Sequence, residues 1–172
     1  EDKTSPLSAY GDSKLKGEKA IKKILGEHYI LRTSWLYGRH GKNFVDTIVA
    51  KGKSAGSLRV VRDQAGSPTY TKYMARAIHM LLDKHFSRYA ICNTQYGTYH
   101  VSNSGSVSWY DYAREILKLA RCKAKVLPIT SAELARPAKR PAMSVMDNSK
   151  FIEFIGYRMP GWKVALKEYL LK

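Results

Sequence analysis

The 172 residues suffice for one substantial domain, and 44% of them are hydrophobic, which excludes a disordered chain. The net charge of +16 favours polyanionic partners: nucleic acid, an anionic membrane surface or phosphorylated small molecules. No apolar run approaches the roughly 20 residues of a membrane span, and no secretory signal opens the sequence. Two cysteines, Cys92 and Cys122, lack metal-ligand spacing, so we expect a reduced, cytoplasmic protein with ordinary thiols.

The first predicted element is a helix that includes Tyr10 and Lys14. Apolar residues recur at helical spacing after Tyr10, and the Ser8 hydroxyl is suited to cap the first turn. Tyr10 and Lys14 then lie one turn apart on one face. A phenol has a pKa near ~10, and a nearby cation lowers it, so the pair is suited to general acid–base chemistry. The alternative is a solvated helix face in a lysine-rich chain.

Strands and helices alternate along the rest of the chain, which predicts an α/β fold. Further strands are predicted at 28–32, 58–61, 98–101 and 125–129. Further helices are predicted at 43–50, 71–82, 109–120, 148–155 and 162–171. Gly and Ser residues in 51–57 should break the second helix, and Thr71 should cap the third. The basic residues are spread out rather than arranged as in an RNA-recognition module or zinc finger, so we expect no nucleic-acid binding.

Sequence motifs recur in one order along nearly the whole chain. They are Tyr10-Gly11-x-Ser13-Lys14, Arg32-Thr33-Ser34-Trp35-Leu36-Tyr37-Gly38, Gly41-x-Asn43-Phe44, Asp63-Gln64-x-Gly66-x-Pro68-Thr69, Tyr99-His100-Val101-Ser102-Asn103-x-Gly105, Ser108-Trp109-Tyr110 and Arg140-Pro141-x-x-Ser144. In this order they resemble the dTDP-4-dehydrorhamnose reductase family of extended short-chain dehydrogenases/reductases. The resemblance covers the C-terminal part of that family, so its glycine-rich cofactor loop and third catalytic residue are expected before Glu1.

The resemblance implies the remainder of a Rossmann-type parallel sheet plus a smaller α/β substrate-binding domain. Residues 1–42 would form the last part of the Rossmann domain with its active-site helix. Residues 43–172 would be mainly substrate-binding, with a segment at about 58–103 crossing back to the Rossmann sheet.

The activity implied by the resemblance is reduction of dTDP-4-dehydro-L-rhamnose to dTDP-L-rhamnose with NADPH or NADH. Tyr10 would give a proton to the carbonyl oxygen, and Lys14 would bond the nicotinamide ribose. Thr33 and Ser34 would face the nicotinamide end of the pocket, so the cofactor-binding residues that the resemblance implies are Tyr10, Lys14, Thr33 and Ser34. Any requirement for Mg²⁺ and the choice between NADH and NADPH are not readable from the residues.

The remaining predicted residues would bind the substrate, a dTDP-deoxysugar. The resemblance assigns Trp35, Asn43 and Gln64 to this role. Arg140 is assigned to the diphosphate, because a guanidinium can form forked hydrogen bonds with it; the alternative is a surface arginine. No nucleic-acid or membrane partner is expected, and a homodimer is left open. Three alternatives remain: another nucleotide-sugar reductase or epimerase, a non-catalytic regulatory relative, and a basic nucleic-acid-binding domain, which salt-dependent binding would reveal.

Overall fold

The helices follow the apolar periodicity of the sequence. The computed structural model describes residues 3–87, 95–138 and 140–171, so Cys92 lies outside the described residues. Its helices are α1 (Ala9–Ile24), α2 (Phe44–Ser54), α3 (Thr71–Phe86), α4 (Trp109–Leu119), α5 (Ser131–Leu134), α6 (Ser149–Ile155) and α7 (Trp162–Leu170). Ser8 caps α1 as predicted, its hydroxyl accepting a hydrogen bond from the Gly11 N–H at 3.2 Å.

Two helix ends differ from the predictions. Helix α2 does end within residues 51–57, but it continues past the predicted end at Ala50 to Ser54. A Cβ added at Gly52 would lie 2.3 Å from Leu117 Cδ2, so the glycine lets α2 pack closely against α4. Thr71 does not cap α3 but is its first residue, and Tyr70 takes the capping position without a side-chain hydrogen bond. Tertiary packing therefore outweighs the local preference of glycine for helix ends.

The strands are short and mostly parallel. They are β1 (Tyr29–Arg32), β2 (Leu36–Tyr37), β3 (Ser57–Val61), β4 (Ala65–Gly66), β5 (Thr69–Tyr70), β6 (Gly97–His100), β7 (Val107–Ser108), β8 (Lys125–Ile129) and β9 (Met143–Ser144). Parallel pairs form between β1 and β6, β2 and β5, and β3 and β8. Strand β4 pairs with β7 in the antiparallel sense and with β9 in the parallel sense. These parallel pairs confirm the predicted α/β class.

Two hydrophobic clusters hold these elements together. The larger cluster joins α2, α4, α7 and β3, and it includes Val45, Ile48, Val60, Ile116 and Leu166. The smaller cluster joins α3, α6 and β6, and it includes Ala77, Leu81, Tyr99, Phe151 and Phe154. Tyr73 is half-buried and packs against both clusters. The described residues thus contain two hydrophobic clusters that both pack against the start of α3.

Helix α1 contributes no residue to either cluster. None of its side chains is buried, and Ile21 and Ile24 are exposed. The Glu18 carboxylate accepts two hydrogen bonds from the Arg32 guanidinium, at 2.8 and 2.5 Å. This bidentate ion pair fastens α1 to the carboxyl end of β1, where the chain continues into residues 33–37.

Candidate active site

The Tyr10–Lys14 pair lies on α1 as the spacing predicts. The Lys14 ammonium nitrogen is 5.5 Å from the centroid of the Tyr10 ring, so the two side chains share one face of the helix. Tyr10 is 72% exposed. Glu18 follows one turn later, and the hydrogen bonds from Arg32 hold the pKa of its carboxyl below the ordinary value. Glu18 is therefore ionised at neutral pH and engaged by Arg32.

A cavity of about 720 Å³ opens beside α2 and β3. Its size falls in the range of small-molecule binding sites. All four residues predicted to bind substrate line it: Trp35, Asn43, Gln64 and Arg140. They come from four separate segments, so the fold brings together positions that are far apart in sequence. Tyr10, Lys14, Thr33 and Ser34 are not among the described residues that line this cavity.

One wall of the cavity is aromatic. The rings of Trp35 and Trp109 stack with centroids 3.3 Å apart and planes 7° from parallel, and the Phe44 ring centroid lies 4.4 Å from that of Trp109. Trp35 has a positive φ of 48°, an uncommon backbone conformation for a bulky residue. Gly66 makes room for its ring, because a Cβ there would lie 2.5 Å from Trp35 Cε2. The wall is therefore built from closely fitted parts and offers a flat apolar surface to a planar ligand.

The rest of the cavity is strongly positive. Its lining includes Lys42, Lys51, Arg59, Arg136 and Arg140, and none of the described lining residues is acidic. Two buried tyrosines, Tyr37 and Tyr112, also line it, and burial raises the pKa of both. Their hydroxyls stay neutral, so they do not offset the cationic side chains. The cavity thus combines an aromatic surface with a cluster of cations suited to phosphate oxygens.

Several predicted side chains make hydrogen bonds within the protein. The Asn43 side chain caps α2 by accepting from the Asp46 N–H at 3.0 Å, and it donates to the Gly38 carbonyl at 2.9 Å. Gln64 donates to the Ser131 hydroxyl at 2.8 Å. Ser34 donates to the Ser67 carbonyl at 2.8 Å. Asn43 and Gln64 thus support the cavity wall as well as lining it.

Thr33 differs from these residues. Its hydroxyl oxygen is buried without a hydrogen-bond partner among the described residues.

Reasoning from sequence missed five lining residues that bear on ligand binding: Lys42, Lys51, Arg59, Trp109 and Arg136. Trp109 stands in a motif that carried the resemblance, so that motif was an available signal. The cations had only the overall basic balance as a signal, because lysines and arginines occur all along the chain. Their convergence depends on the packing of α2, β3 and residues 135–138 and 140–142.

Neither a metal site nor a membrane span occurs in the part of the chain that the structure describes. No group of three or more His, Cys, Asp and Glu side chains there is arranged to hold a metal ion. No helix within the described ranges is both long enough and apolar enough to cross a membrane.

The mixed α/β fold with its parallel strand pairs is the fold of Rossmann-like proteins, among them a solved reductase structure. Residues 1–172 match the family described as RmlD substrate binding domain, and the chain belongs to this family.

The relatives of the chain cover nearly all of its length. It is 41% identical to the spore coat polysaccharide biosynthesis protein SpsK of Bacillus subtilis, covering 99% of this chain and 56% of that protein. It is 34% identical to dTDP-4-dehydrorhamnose reductase of Escherichia coli, covering 98% of this chain and 57% of the enzyme. The crystal structure of dTDP-4-dehydrorhamnose reductase from Bacillus anthracis in complex with NADP superposes with a TM-score of 0.89 at 37% identity, covering 99% of this chain and 57% of that one. The chain therefore spans somewhat more than half the length of these relatives.

Proposed function

We propose that the chain forms the substrate-binding portion and carries the catalytic Tyr–Lys pair of a dTDP-4-dehydrorhamnose reductase. The enzyme would reduce dTDP-4-dehydro-L-rhamnose to dTDP-L-rhamnose with NADPH or NADH. The observation that carries this proposal is the cavity, which joins an aromatic wall to five cationic side chains. The family membership and the similarity to the reductases of Escherichia coli and Bacillus anthracis support the same function.

The two hydrophobic clusters suggest how this portion fits a larger enzyme. We assign the β1–β6 pair, α3 and α6 to the Rossmann part, because they share the smaller hydrophobic cluster. We assign α2, α4, α7, β3 and β8 to the substrate-binding part, which shares the larger cluster. The segment that crosses back to the Rossmann sheet then begins near Thr71 rather than at about residue 58. The exposed apolar side chains of α1 would be covered by the remainder of the Rossmann domain.

The proposed chemistry assigns the proton to Tyr10 and the diphosphate to the cavity. A reduced nicotinamide cofactor supplies a hydride to the keto carbon when bound. Tyr10 donates its phenolic proton to the carbonyl oxygen as negative charge develops there, so the ketone becomes an alcohol. The Lys14 ammonium stabilises the resulting phenolate and bonds the nicotinamide ribose. Thr33 and Ser34 lie in sequence between Arg32 and the cavity residue Trp35, and they would face the nicotinamide.

The substrate's nucleotide would occupy the cavity itself. The thymine ring would lie against the Trp35–Trp109 wall, because planar rings stack favourably on indoles. The diphosphate would lie among the lysines and arginines, whose charges would compensate for the hydration that the phosphate oxygens lose on binding. Asn43 and Gln64 would shape the walls through their hydrogen bonds to neighbouring segments.

A direct assay tests the proposal. The complete enzyme should consume NADPH when given dTDP-4-dehydro-L-rhamnose, and mass spectrometry with NMR should identify dTDP-L-rhamnose as the product. UDP-linked 4-keto sugars serve as the comparison substrates. Conversion of those sugars without conversion of the dTDP sugar would assign the chain to another nucleotide-sugar reductase or epimerase. Binding of both ligands without turnover would assign it to a non-catalytic relative.

Two aspects of the protein's environment also belong to this proposal. We expect it to work in the cytoplasm, which the free thiol of Cys122 supports. Homodimer formation can be measured by light scattering on the complete enzyme.

A further inference from the structure

Residues 135–142 connect α5 to β9 and carry two of the cavity's arginines, Arg136 and Arg140. We call the described part of this segment, residues 135–138 and 140–142, the arginine strap. It begins directly after α5 at Ala135, which adopts a left-handed conformation with φ of 47° and turns the chain away from the helix. It ends where β9 pairs with β4.

The end of the arginine strap and the helix α5 that precedes it are both fastened to the same short segment, residues 63–66. At its far end, the Ala65 N–H donates to the Ala142 carbonyl at 2.8 Å, and the Ser144 hydroxyl donates to the Ala65 carbonyl at 3.1 Å. At the near end, before the strap, residues 63 and 64 hold Ser131, the first residue of α5. The two arginines are therefore carried on a segment that, together with α5, has both ends tied to one place.

The near-end attachment is a cluster of hydrogen bonds centred on Ser131. Its backbone N–H lies 3.0 and 2.9 Å from the two carboxylate oxygens of Asp63. Its hydroxyl donates to Asp63 Oδ1 at 2.8 Å and accepts from the Gln64 amide at 2.8 Å. These bonds lower the pKa of Asp63, with the backbone N–H of Ser131 the main cause. The attachment is therefore charged and intact at neutral pH.

We infer that Asp63 and Ser131 are positioning residues that hold Arg136 and Arg140 against the cavity for binding of the substrate's diphosphate. This inference rests on the proposed function and adds to it how the arginines are placed. Neither Asp63 nor Ser131 is among the described residues lining the cavity, so both act through the strap. An arginine side chain has many rotamers, and fixing its backbone reduces the entropy lost when it binds phosphate.

Charge alone predicts the opposite result from positioning. Asp63 is an anion near a site for an anionic ligand, so its neutralisation should strengthen diphosphate binding if only the summed charge matters. If Asp63 acts by holding the strap, its removal should weaken diphosphate binding despite the more positive charge. The sign of the change in affinity therefore separates the two accounts.

The experiment measures binding of two probes, dTDP and thymidine, to the complete enzyme by calorimetry. Asp63→Ala and Ser131→Ala should each raise the Kd for dTDP by roughly tenfold, the size expected when hydrogen bonds to a charged group lose their alignment. The Kd for thymidine should change less than about twofold, because thymidine has no phosphate. Turnover should show the same pattern, with a raised KM for the dTDP sugar and little change in kcat.

A second aspartate in the chain provides a matched control. Asp147 accepts from the Ser149 N–H at 2.9 Å and from the Ser149 hydroxyl at 3.0 Å at the start of α6, and it does not line the cavity. Asp147→Ala should leave the Kd for dTDP unchanged. If Asp63→Ala is poorly folded by circular dichroism, Asp63→Asn and Ser131→Ala carry the test.

Three results would overturn the inference. The first is dTDP binding that is unchanged or tighter in Asp63→Ala, Asp63→Asn and Ser131→Ala. The second is an equal loss for thymidine and dTDP, which would indicate general damage to the cavity. The third is a wild-type enzyme that does not bind dTDP at all. That result would overturn the proposed function together with this inference.

Discussion

The cavity and the face of α1 differ in how much of each the chain builds by itself. The cavity is lined by several separate segments, and its aromatic wall fits closely around Gly66. Some of its lining side chains, such as Asn43, are held by hydrogen bonds within the protein. The face of α1 presents an exposed Tyr10 and Lys14, and its helix contributes no buried residue. Under the proposed function, we expect nucleotide recognition to depend mainly on this chain and catalysis to depend also on further groups of the complete enzyme.

Substitution of the catalytic tyrosine on α1 should cause the greatest loss of activity. In the complete enzyme, Tyr10→Phe should lower kcat by about 10²–10⁴-fold, because the phenolic proton matters most where the carbonyl oxygen gains charge. The Kd for dTDP should stay within about twofold, since Tyr10 does not line the cavity. Steady-state kinetics and calorimetry measure the two quantities. Tyr110→Phe is the matched control, and a Tyr10→Phe enzyme with near-normal kcat would return the pair to a solvated helix face.

The aromatic wall of the cavity should show the next greatest effect. Gly66→Ala would place a Cβ 2.5 to 2.7 Å from atoms of the Trp35 indole, so the ring must move away from Trp109. Overpacking of this kind typically costs about 1–3 kcal/mol of unfolding free energy, measured by chemical denaturation. The Kd for dTDP and for thymidine should both rise, because the base loses its surface.

A second glycine is the control for that variant. A Cβ added at Gly26 would meet no neighbouring atom within 4 Å, so Gly26→Ala should change neither stability nor affinity appreciably. If Gly66→Ala and Gly26→Ala had equal stability and equal affinity for dTDP, the aromatic wall would tolerate displacement of Trp35.

The ion pair that fastens α1 to β1 should show a smaller effect. The folded-state pKa of Glu18 is lowered below its ordinary value of 4.5 by Arg32, so the stabilisation is fully present above about pH 4.5 and is lost as the pH falls through the lowered pKa. Glu18→Gln should therefore reduce Tm at pH 7, by an amount equivalent to about 1 kcal/mol, and the difference from wild type should shrink toward about pH 3.

An exposed pair on the same helix is the control for that measurement. Asp12 and Lys16 lie 2.9 Å apart with largely exposed side chains, so Asp12→Asn should change Tm very little. A pH-independent difference between wild type and Glu18→Gln would show that the carboxylate's charge does not matter.

The same two regions show what sequence reasoning can reach. The Tyr10–Lys14 geometry follows from helical spacing alone, because residues four apart on a helix share a face. The cavity required tertiary information. Lys42, Arg59 and Arg136 come from separate segments, and nothing local to any of them indicates that they meet.

Hydrogen bonding and packing explain the remaining differences. An amide side chain such as that of Gln64 can serve a ligand or its own protein, and only the position of Ser131 shows which bond forms here. A glycine in a helical pattern predicts the end of the helix. Gly52 instead allows close packing against Leu117, and because Leu117 is distant along the chain, the sequence around Gly52 does not indicate this role. The short strands such as β4 are two residues long, too short for an alternating pattern to be recognised.

Under the proposed function, these residues hold the nucleotide and contribute Lys14, Thr33 and Ser34 to the nicotinamide end, while most of the cofactor-binding groups belong to other parts of the enzyme. This division can be tested by calorimetry on the 172-residue chain, after circular dichroism has shown that it is folded, with dTDP and NADPH as separate ligands. We expect saturable binding of dTDP and no detectable binding or turnover of NADPH at the same concentrations. Binding of NADPH without binding of dTDP would show that the division is wrong.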